Sequence, residues 1–142
     1  MTSKQGFSLV EVLVALAIVA IMSAVVAVNV LGASDDAKIT SAESQLSNFE
    51  TALTLYKTQQ GSLPTLRQGL SALVEQPSVA PIPPRYPQGG YLNSNEVPVD
   101  PWGNPYVYFA PGRNGQPFEV VSYGADGLEG GDGPNADLST SD

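Results

Sequence analysis

The sequence contains neither cysteine nor histidine. A disulfide framework is therefore excluded, although small exported domains often depend on one. Zinc sites built on Cys or His, and nucleophilic catalysis by Ser–His or Cys–His pairs, are excluded as well. A hydrolase tethered to a membrane would have to use Asp/Glu pairs, and no residue here is expected to act on a substrate. We therefore expect a protein that is not an enzyme.

Basic residues are scarce: 6 Lys and Arg stand against 14 Asp and Glu, a net charge of −8. No basic patch exists, so nucleic acid is not an expected partner. The first six residues carry one lysine and no acid, and the positive-inside tendency places Met1 in the cytoplasm and the acidic remainder outside. After the leader and the apolar segment that follows it, the chain is long enough for one small domain.

Residues 7–31 form an apolar run without proline, interrupted only by Ser8, Glu11, Ser23 and Asn29. As a helix the run would measure roughly 37 Å, which is enough to cross the hydrocarbon core of a bilayer. Glu11 is unexpected there, because a charge at the centre of a membrane helix costs about 2.5–3.5 kcal/mol and less near an end. An ionisable residue within a membrane segment usually has a functional role, so we expect Glu11 to have one.

Three interpretations of this run compete. A cleaved secretory signal peptide would be processed near Ala27, and a plain single-span anchor would stay uncut, but neither explains Glu11. The third interpretation is based on Gly6, Phe7, the acid at position 11 and the apolar run behind them. Together these features resemble the class III signal of prepilins. The resemblance implies that a prepilin peptidase cuts between Gly6 and Phe7, methylates the new amine of Phe7 and leaves the helix attached.

Cleavage would create an α-amine at Phe7 with a reference pKa of about 7.7–8.0. Glu11 lies one helical turn further on and could offset that charge, or pair with the amine of a neighbouring subunit. Our hypothesis is that Glu11 provides axial register between packed helices. Val28 occupies a position at which the prepilin family usually has proline, so one cause of a helix kink is missing.

The helix is predicted to continue beyond the membrane. Gly32 and the polar residues 34–36 could form a local break or cap. Past them, one apolar stripe predicts a helix face packed on a sheet, and Gly61 predicts the helix end. The stripe consists of Ile39, Ala42, Leu46, Phe49, Leu53 and Tyr56.

The rest of the chain predicts short elements. Thr65 is a candidate N-cap for a short helix carrying Leu66, Leu70, Leu73 and Val74. Residues 76–91 are rich in proline and glycine and predict loop. Residues 106–109 and 118–122, separated by a hairpin-type turn, predict two or three short antiparallel strands.

Acids and glycines are concentrated in residues 122–137, which we name the acidic loop. It reads either as a mobile, solvated tail or as a calcium loop, since Ca²⁺ takes six to eight oxygens and glycines let the chain fold round it. Asp126 and Asp137 are the preferred ligands and Asp132 is next, with Glu129, Asn135 and Ser122 in reserve. Bound calcium would provide the stabilisation that a disulfide gives in other small exported domains, because its binding free energy adds to the free energy of folding.

Four further segments together resemble the major pseudopilins of type II secretion systems. They are residues 64–74 (P-T-x-x-Q-G-L-x-A-L-V), 89–92 (G-G-Y-L), 100–106 (D-P-W-G-N-x-Y) and 122–127 (S-x-G-x-D-G). The resemblance implies an α+β, pilin-like fold in which a long N-terminal helix packs on a small antiparallel sheet. It implies a calcium site at Asp126 and Asp137. The chain ends soon after Asp137, without the family's usual Asn-Trp.

The resemblance also implies an organisation and a set of partners. Residues 1–6 are the leader, residues 7–31 the membrane and polymerisation helix, and residues 32–142 a periplasmic globular head. The subunit would wait in the inner membrane and then form a homopolymer, the pseudopilus, with minor pseudopilins and an inner-membrane assembly platform as partners. The filament would drive export of folded proteins across the outer membrane. The alternatives are a type IV pilin for adhesion, motility or DNA uptake, which would commonly bring a C-terminal disulfide loop, and a minor pseudopilin.

Overall fold

One long helix precedes all the other secondary structure. The computed structural model describes residues 6–142, apart from the side chains of residues 27–32, so residues 1–5 of the predicted leader and the side chain of Val28 lie outside the described part. The elements in chain order are α1 (Leu9–Gln60), a first 3₁₀ helix (Gly69–Leu73), β1 (Val107–Phe109), β2 (Glu119–Ser122), a second 3₁₀ helix (Gly133–Asn135) and β3 (Leu138–Ser139).

Helix α1 has no break at Gly32 or at residues 34–36, so that prediction is wrong. The physical reason is that a glycine inside a helix costs only about 1 kcal/mol relative to alanine, whereas no proline is present to remove a backbone hydrogen bond. The predicted end is confirmed at Gln60. Gly61 follows with a φ of 79°, and its N–H donates to the carbonyl of Lys57 at 2.8 Å.

The chain divides into two compact units between Asp36 and Ala37, and we call the second, Ala37–Asp142, the C-terminal unit. Within it, the predicted apolar stripe of α1 is the buried face. Ala42, Phe49 and Leu53 are fully buried, Leu46 and Tyr56 are nearly so, and Ile39 is half-buried. Because burying one large apolar side chain contributes about 1.5–3 kcal/mol, this face is a main source of the unit's stability.

Three short antiparallel strands form a sheet in the order β1-β2-β3. Tyr108 pairs with Val120 in the first ladder, and Ser122 pairs with Leu138 in the second. The β2 strand is central and buried along its whole length, as its fully enclosed Val120 and Val121 illustrate. The α1 stripe packs with Tyr106, Tyr108 and Val120 in one core, where the rings of Phe49 and Tyr106 meet in an edge-type arrangement with 5.0 Å between centroids. The predicted pilin-like α+β arrangement is confirmed.

The segment after α1 differs from its prediction. In place of a helix starting after Thr65, the chain makes a turn and then the first 3₁₀ helix, from Gly69 to Leu73. Thr65 and Gln68 bond to each other's backbone: the Thr65 hydroxyl accepts from the Gln68 N–H, and the Gln68 side-chain oxygen accepts from the Thr65 N–H. This reciprocal pairing closes a tight turn, and Gly69 continues it with a φ of 60°. Residues 76–91 are loop, as predicted.

Candidate functional site

The start of α1 is capped by Ser8. Its hydroxyl accepts a hydrogen bond from the backbone N–H of Glu11 at 3.2 Å, and its carbonyl accepts from Val12 at 3.2 Å. Glu11 therefore lies in the first turn, where the helix dipole favours an acid. Its side chain is exposed, and within the described part of the chain its carboxylate makes no hydrogen bond or ion pair. The carboxylate is thus available to a partner outside the subunit.

The first half of α1 presents an apolar surface on every side. Residues Leu9–Val26 have a mean hydropathy of 2.8, none of them is buried, and by length and composition the segment can cross a membrane. Phe7, at the predicted cleavage site, is 82% exposed. An all-round apolar helix needs lipid or other apolar helices around it, because water cannot solvate it favourably.

Two predicted metal ligands brace the backbone of the acidic loop. One carboxylate oxygen of Asp126 accepts from the N–H of Leu128 at 3.1 Å, and one of Asp137 accepts from the N–H of Gly130 at 3.0 Å. The second oxygen of each carboxylate has no hydrogen-bond donor within the described residues. Both carboxylates are therefore attached to the same short stretch of loop, each with an oxygen free for a cation.

Asp132 is placed differently. It precedes the second 3₁₀ helix, where its carbonyl accepts from the Asn135 N–H at 3.2 Å while its exposed side chain makes no capping bond. Among the residues that the structure describes, no three Asp or Glu side chains gather at one point. The predicted three-aspartate set of Asp126, Asp132 and Asp137 is therefore not assembled by side chains alone.

The other oxygens of the acidic loop suit a hard cation. From Asp126 to Gly131, no backbone carbonyl accepts a hydrogen bond from the described part of the chain. Glycines with positive φ recur in this stretch, at Gly127, Gly130 and Gly131. Two carboxylates with unengaged carbonyls beside them match the ligands that Ca²⁺ takes from proteins, with water completing the shell. The residues present fit calcium.

Next to the acidic loop lies an ion pair that the sequence did not reveal, in which the carboxylate is buried and the arginine is exposed. Glu119, 1% exposed on β2, accepts from the backbone N–H, Nε and Nη2 of Arg113 at 3.0, 3.1 and 2.9 Å. The hydroxyls of Ser139 and Ser141 donate to the same carboxylate. The hydrogen bonds from Arg113 lower the pKa of Glu119 from 4.5 to about 2 against the opposing effect of burial. Arg113 also meets Glu129 of the acidic loop at 3.1 Å.

A second unforeseen arrangement joins the turn at residues 100–104 to the acidic loop. Asp100 is 2% exposed and accepts a hydrogen bond from the Ser122 hydroxyl, and Asn104 donates to the carbonyl of Gly124. Proline and glycine within the segment favour a turn there. Its contacts could not be foreseen, because they join residues about twenty positions apart.

Comparison with known proteins gives a consistent result. The family model described as "Type II secretion system (T2SS), protein G" matches residues 29–141, and the model "Prokaryotic N-terminal methylation motif" matches residues 1–27. The two matches divide the chain close to the predicted end of the apolar segment.

Individual relatives agree with the family models. The type II secretion system core protein G of Pseudomonas aeruginosa is 42% identical over 139 residues, covering 98% of this chain and 96% of that protein. The protein of the same name from Vibrio cholerae is 41% identical over 138 residues, covering 97% of this chain and 92% of that protein.

A solved structure extends the likeness to three dimensions. The crystal structure of the major pseudopilin from the type 2 secretion system of enterohaemorrhagic Escherichia coli matches with a TM-score of 0.64 at 34% identity, covering 79% of this chain and 93% of that chain. The chain therefore belongs to the protein G family of type II secretion systems, the major pseudopilins, which are structural subunits and not enzymes.

Proposed function

We propose that the chain polymerises through residues 7–31 into a pseudopilus whose growth drives folded proteins across the outer membrane. One observation carries this proposal: the apolar surface of Leu9–Val26 is unburied within the subunit. In the membrane, lipid covers that surface. In a filament, the same surface packs against other copies, so the helix exchanges one apolar surrounding for another at little cost in hydration.

The proposed organisation has three parts. Residues 1–6 are the leader, residues 7–31 anchor the subunit in the inner membrane, and residues 32–142 form the head in the periplasm. A lysine in the leader and the acids after residue 34 support this orientation. An assembly platform in the inner membrane extracts the subunit, and minor pseudopilins join the same filament.

We also propose that a prepilin peptidase cuts between Gly6 and Phe7 and methylates Phe7. Both residues are exposed and precede the first turn of α1, which begins at Leu9. A peptidase needs an accessible bond outside a helix, and this position provides one without unwinding α1. The Ser8 cap remains after cleavage, so the mature helix keeps its N-terminal hydrogen bonds.

Deleting the gene should abolish release of exoproteins while surface piliation persists, and the full-length chain should restore release. The subunit recovered from the complemented strain should begin with N-methylated Phe7, as measured by mass spectrometry of its N-terminal peptide. Loss of surface pili with normal release would contradict the secretion function and favour a type IV pilin. A mature chain beginning beyond Ala27 would exclude polymerisation through this helix.

Calcium is the proposed cofactor of the acidic loop. Asp126 and Asp137 would hold it, together with carbonyls of the loop, and Asp132 lies close enough in sequence to contribute directly or through water. The fit of the donor set described above supports this. The ion would neutralise part of the local negative charge and fasten the loop that leads into β3.

Calcium should raise the stability of the parent protein, and Asp126→Ala or Asp137→Ala should remove that gain. A ligand at a hundredfold excess over its Kd contributes about 2.7 kcal/mol. The measurement is urea unfolding of the full chain in detergent micelles, with excess calcium or with chelator. The emission of the single tryptophan, Trp102, reports on the C-terminal unit.

Asp36→Ala is the matched control, because Asp36 is an exposed aspartate outside the acidic loop. It should respond to calcium as the parent does. Equal stability of the parent in calcium and in chelator would refute the calcium site.

A further inference from the structure

We propose that the turn at residues 100–104 positions the calcium loop, with Asn104 and Asp100 as its positioning residues. This inference rests on the calcium site proposed above. It assigns a role to the D-P-W-G-N segment, which lies outside the acidic loop in sequence and supplies no proposed ligand.

The turn is held rigidly by its own backbone and by Asp100. One Asp100 carboxylate oxygen accepts from the N–H groups of Trp102 and Asn104 at 3.1 and 2.8 Å. The backbone of Asp100 and Asn104 is joined by a further bond of 2.8 Å. Because a buried carboxylate is costly unless its oxygens are satisfied, these bonds determine the position of Asp100.

The other carboxylate oxygen of Asp100 reaches the start of the acidic loop. It accepts from the Ser122 hydroxyl at 2.7 Å, and that hydroxyl oxygen accepts from the N–H of Gly124 at 3.3 Å. Asn104 bonds to the other polar group of Gly124, since its Nδ2 donates to the Gly124 carbonyl at 2.9 Å. Both polar groups of the Gly124 backbone are therefore held through this turn.

Gly124 leaves little freedom for adjustment. Its φ is 66°, and a Cβ there would lie 2.7 Å from the Pro134 carbonyl oxygen. The next N–H, that of Ala125, donates to the same carbonyl at 2.8 Å. Fixing Gly124 thus also fixes how the two ends of the acidic loop approach each other.

Asn104 also contacts the loop on the far side of Asp126. A Cβ at Gly127 would lie 3.2 Å from Asn104 Oδ1, so the Asn104 side chain lies directly beside both Gly124 and Gly127. Asp126 stands between these two contact points. Metal-binding side chains that are positioned by hydrogen bonds bind the ion less tightly when those bonds are removed, because the ion must then order the loop itself.

Asn104→Ala is the decisive variant. It keeps the backbone bonds of the turn and removes only the side-chain contacts to Gly124 and Gly127. We expect calcium affinity, measured by isothermal titration of the full chain in micelles, to fall about 10- to 100-fold. In the metal-free protein, hydrogen exchange at the amides of Gly124 and Gly127 should become faster, while the melting temperature stays close to that of the parent. Asn93→Ala, an exposed asparagine on another loop, is the matched control and should change none of these.

The outcomes separate the two proposals. If the parent binds calcium and Asn104→Ala binds it equally well, the positioning role is wrong and the calcium site stands. If the parent binds no calcium, the calcium site and this inference both fall. Should Asn104→Ala fail to fold, Asn104→Ser provides the same comparison, since its side chain is polar but too short to reach the Gly124 carbonyl.

Discussion

Arg113→Ala is expected to lower the free energy of unfolding of the C-terminal unit by about 3–5 kcal/mol at neutral pH, because it leaves a buried charge without its partner. The charge left behind is that of Glu119, which is 1% exposed, whereas the Arg113 side chain is 34% exposed. Removing Arg113 should therefore destabilise the unit more than removing Glu119, because the buried carboxylate that is left behind cannot regain water. Its remaining donors are the Arg113 backbone N–H and the two serine hydroxyls.

The same variant should change how stability depends on pH. In the parent, the folded-state pKa of Glu119 is about 2, below its ordinary value of 4.5. Ionised Glu119 thus stabilises the fold above the ordinary value, and that contribution is lost as the pH falls toward the folded-state pKa. Without Arg113 the folded-state pKa rises, so the destabilisation should shrink on acidification.

Urea unfolding followed by Trp102 emission, at neutral pH and at a pH midway between the two pKa values, measures both effects. Arg67→Ala is the matched control, because Arg67 is an exposed arginine of the same unit with no ion pair in the described part of the chain. A penalty for Arg113→Ala that equals the control, or that is unchanged by acid, would contradict this account.

Glu11→Ala should abolish pseudopilus assembly while leaving the subunit processed and inserted. If Glu11 pairs with the Phe7 amine of a neighbouring copy, its loss leaves that amine unpaired in an apolar bundle, at about 3–5 kcal/mol per contact. That free energy corresponds to a factor between about 10² and 10⁴ in each association step. Insertion should not suffer, because removing an acid makes the helix more apolar.

Glu11→Gln separates charge from shape, since it keeps the length of the side chain and removes its charge. It should fail in assembly nearly as severely. The measurements are filament yield by electron microscopy, exoprotein release, and the mass of the N-terminal peptide as evidence of normal processing. Glu96→Ala, at an exposed glutamate of the C-terminal unit, should assemble normally. Filaments at parental yield from Glu11→Ala would refute the pairing.

Features set by local periodicity were predictable. The stripe from Ala42 to Tyr56 recurs every three or four residues, which only a helix can place on one face, and Gly61 ends that helix for a local steric reason. Strands β1 and β2 were near their predicted positions because their β-branched and aromatic residues lie between turn residues. Strand β3, Leu138–Ser139, was not located, since two residues have no period.

Features that depend on residues distant in sequence were missed. Glu119 looks like a surface residue of a strand, but the central position of β2 buries it, and Arg113 then becomes its partner. Asp100 and Asn104 look like ordinary turn residues until the fold brings Gly124 against them. Two weak sequence signals could direct a search for such contacts. One is an acid within an otherwise apolar strand sequence, and the other is a turn with proline and glycine that begins with Asp and ends with Asn.

The sequence by itself determined that this chain has an apolar N-terminal helix with one acid, a helix-on-sheet C-terminal unit and the family to which it belongs. These properties depend on residue spacing, composition and short motifs, all of which involve residues close together in the sequence. Only the tertiary structure decided that Glu119 is buried and paired with Arg113, that Asp126 and Asp137 hold one loop by hydrogen bonds while Asp132 does not, and that a turn about twenty residues away holds the start of that loop. Such contacts are selected by burial and hydrogen-bond satisfaction across the whole unit, and no local pattern encodes them.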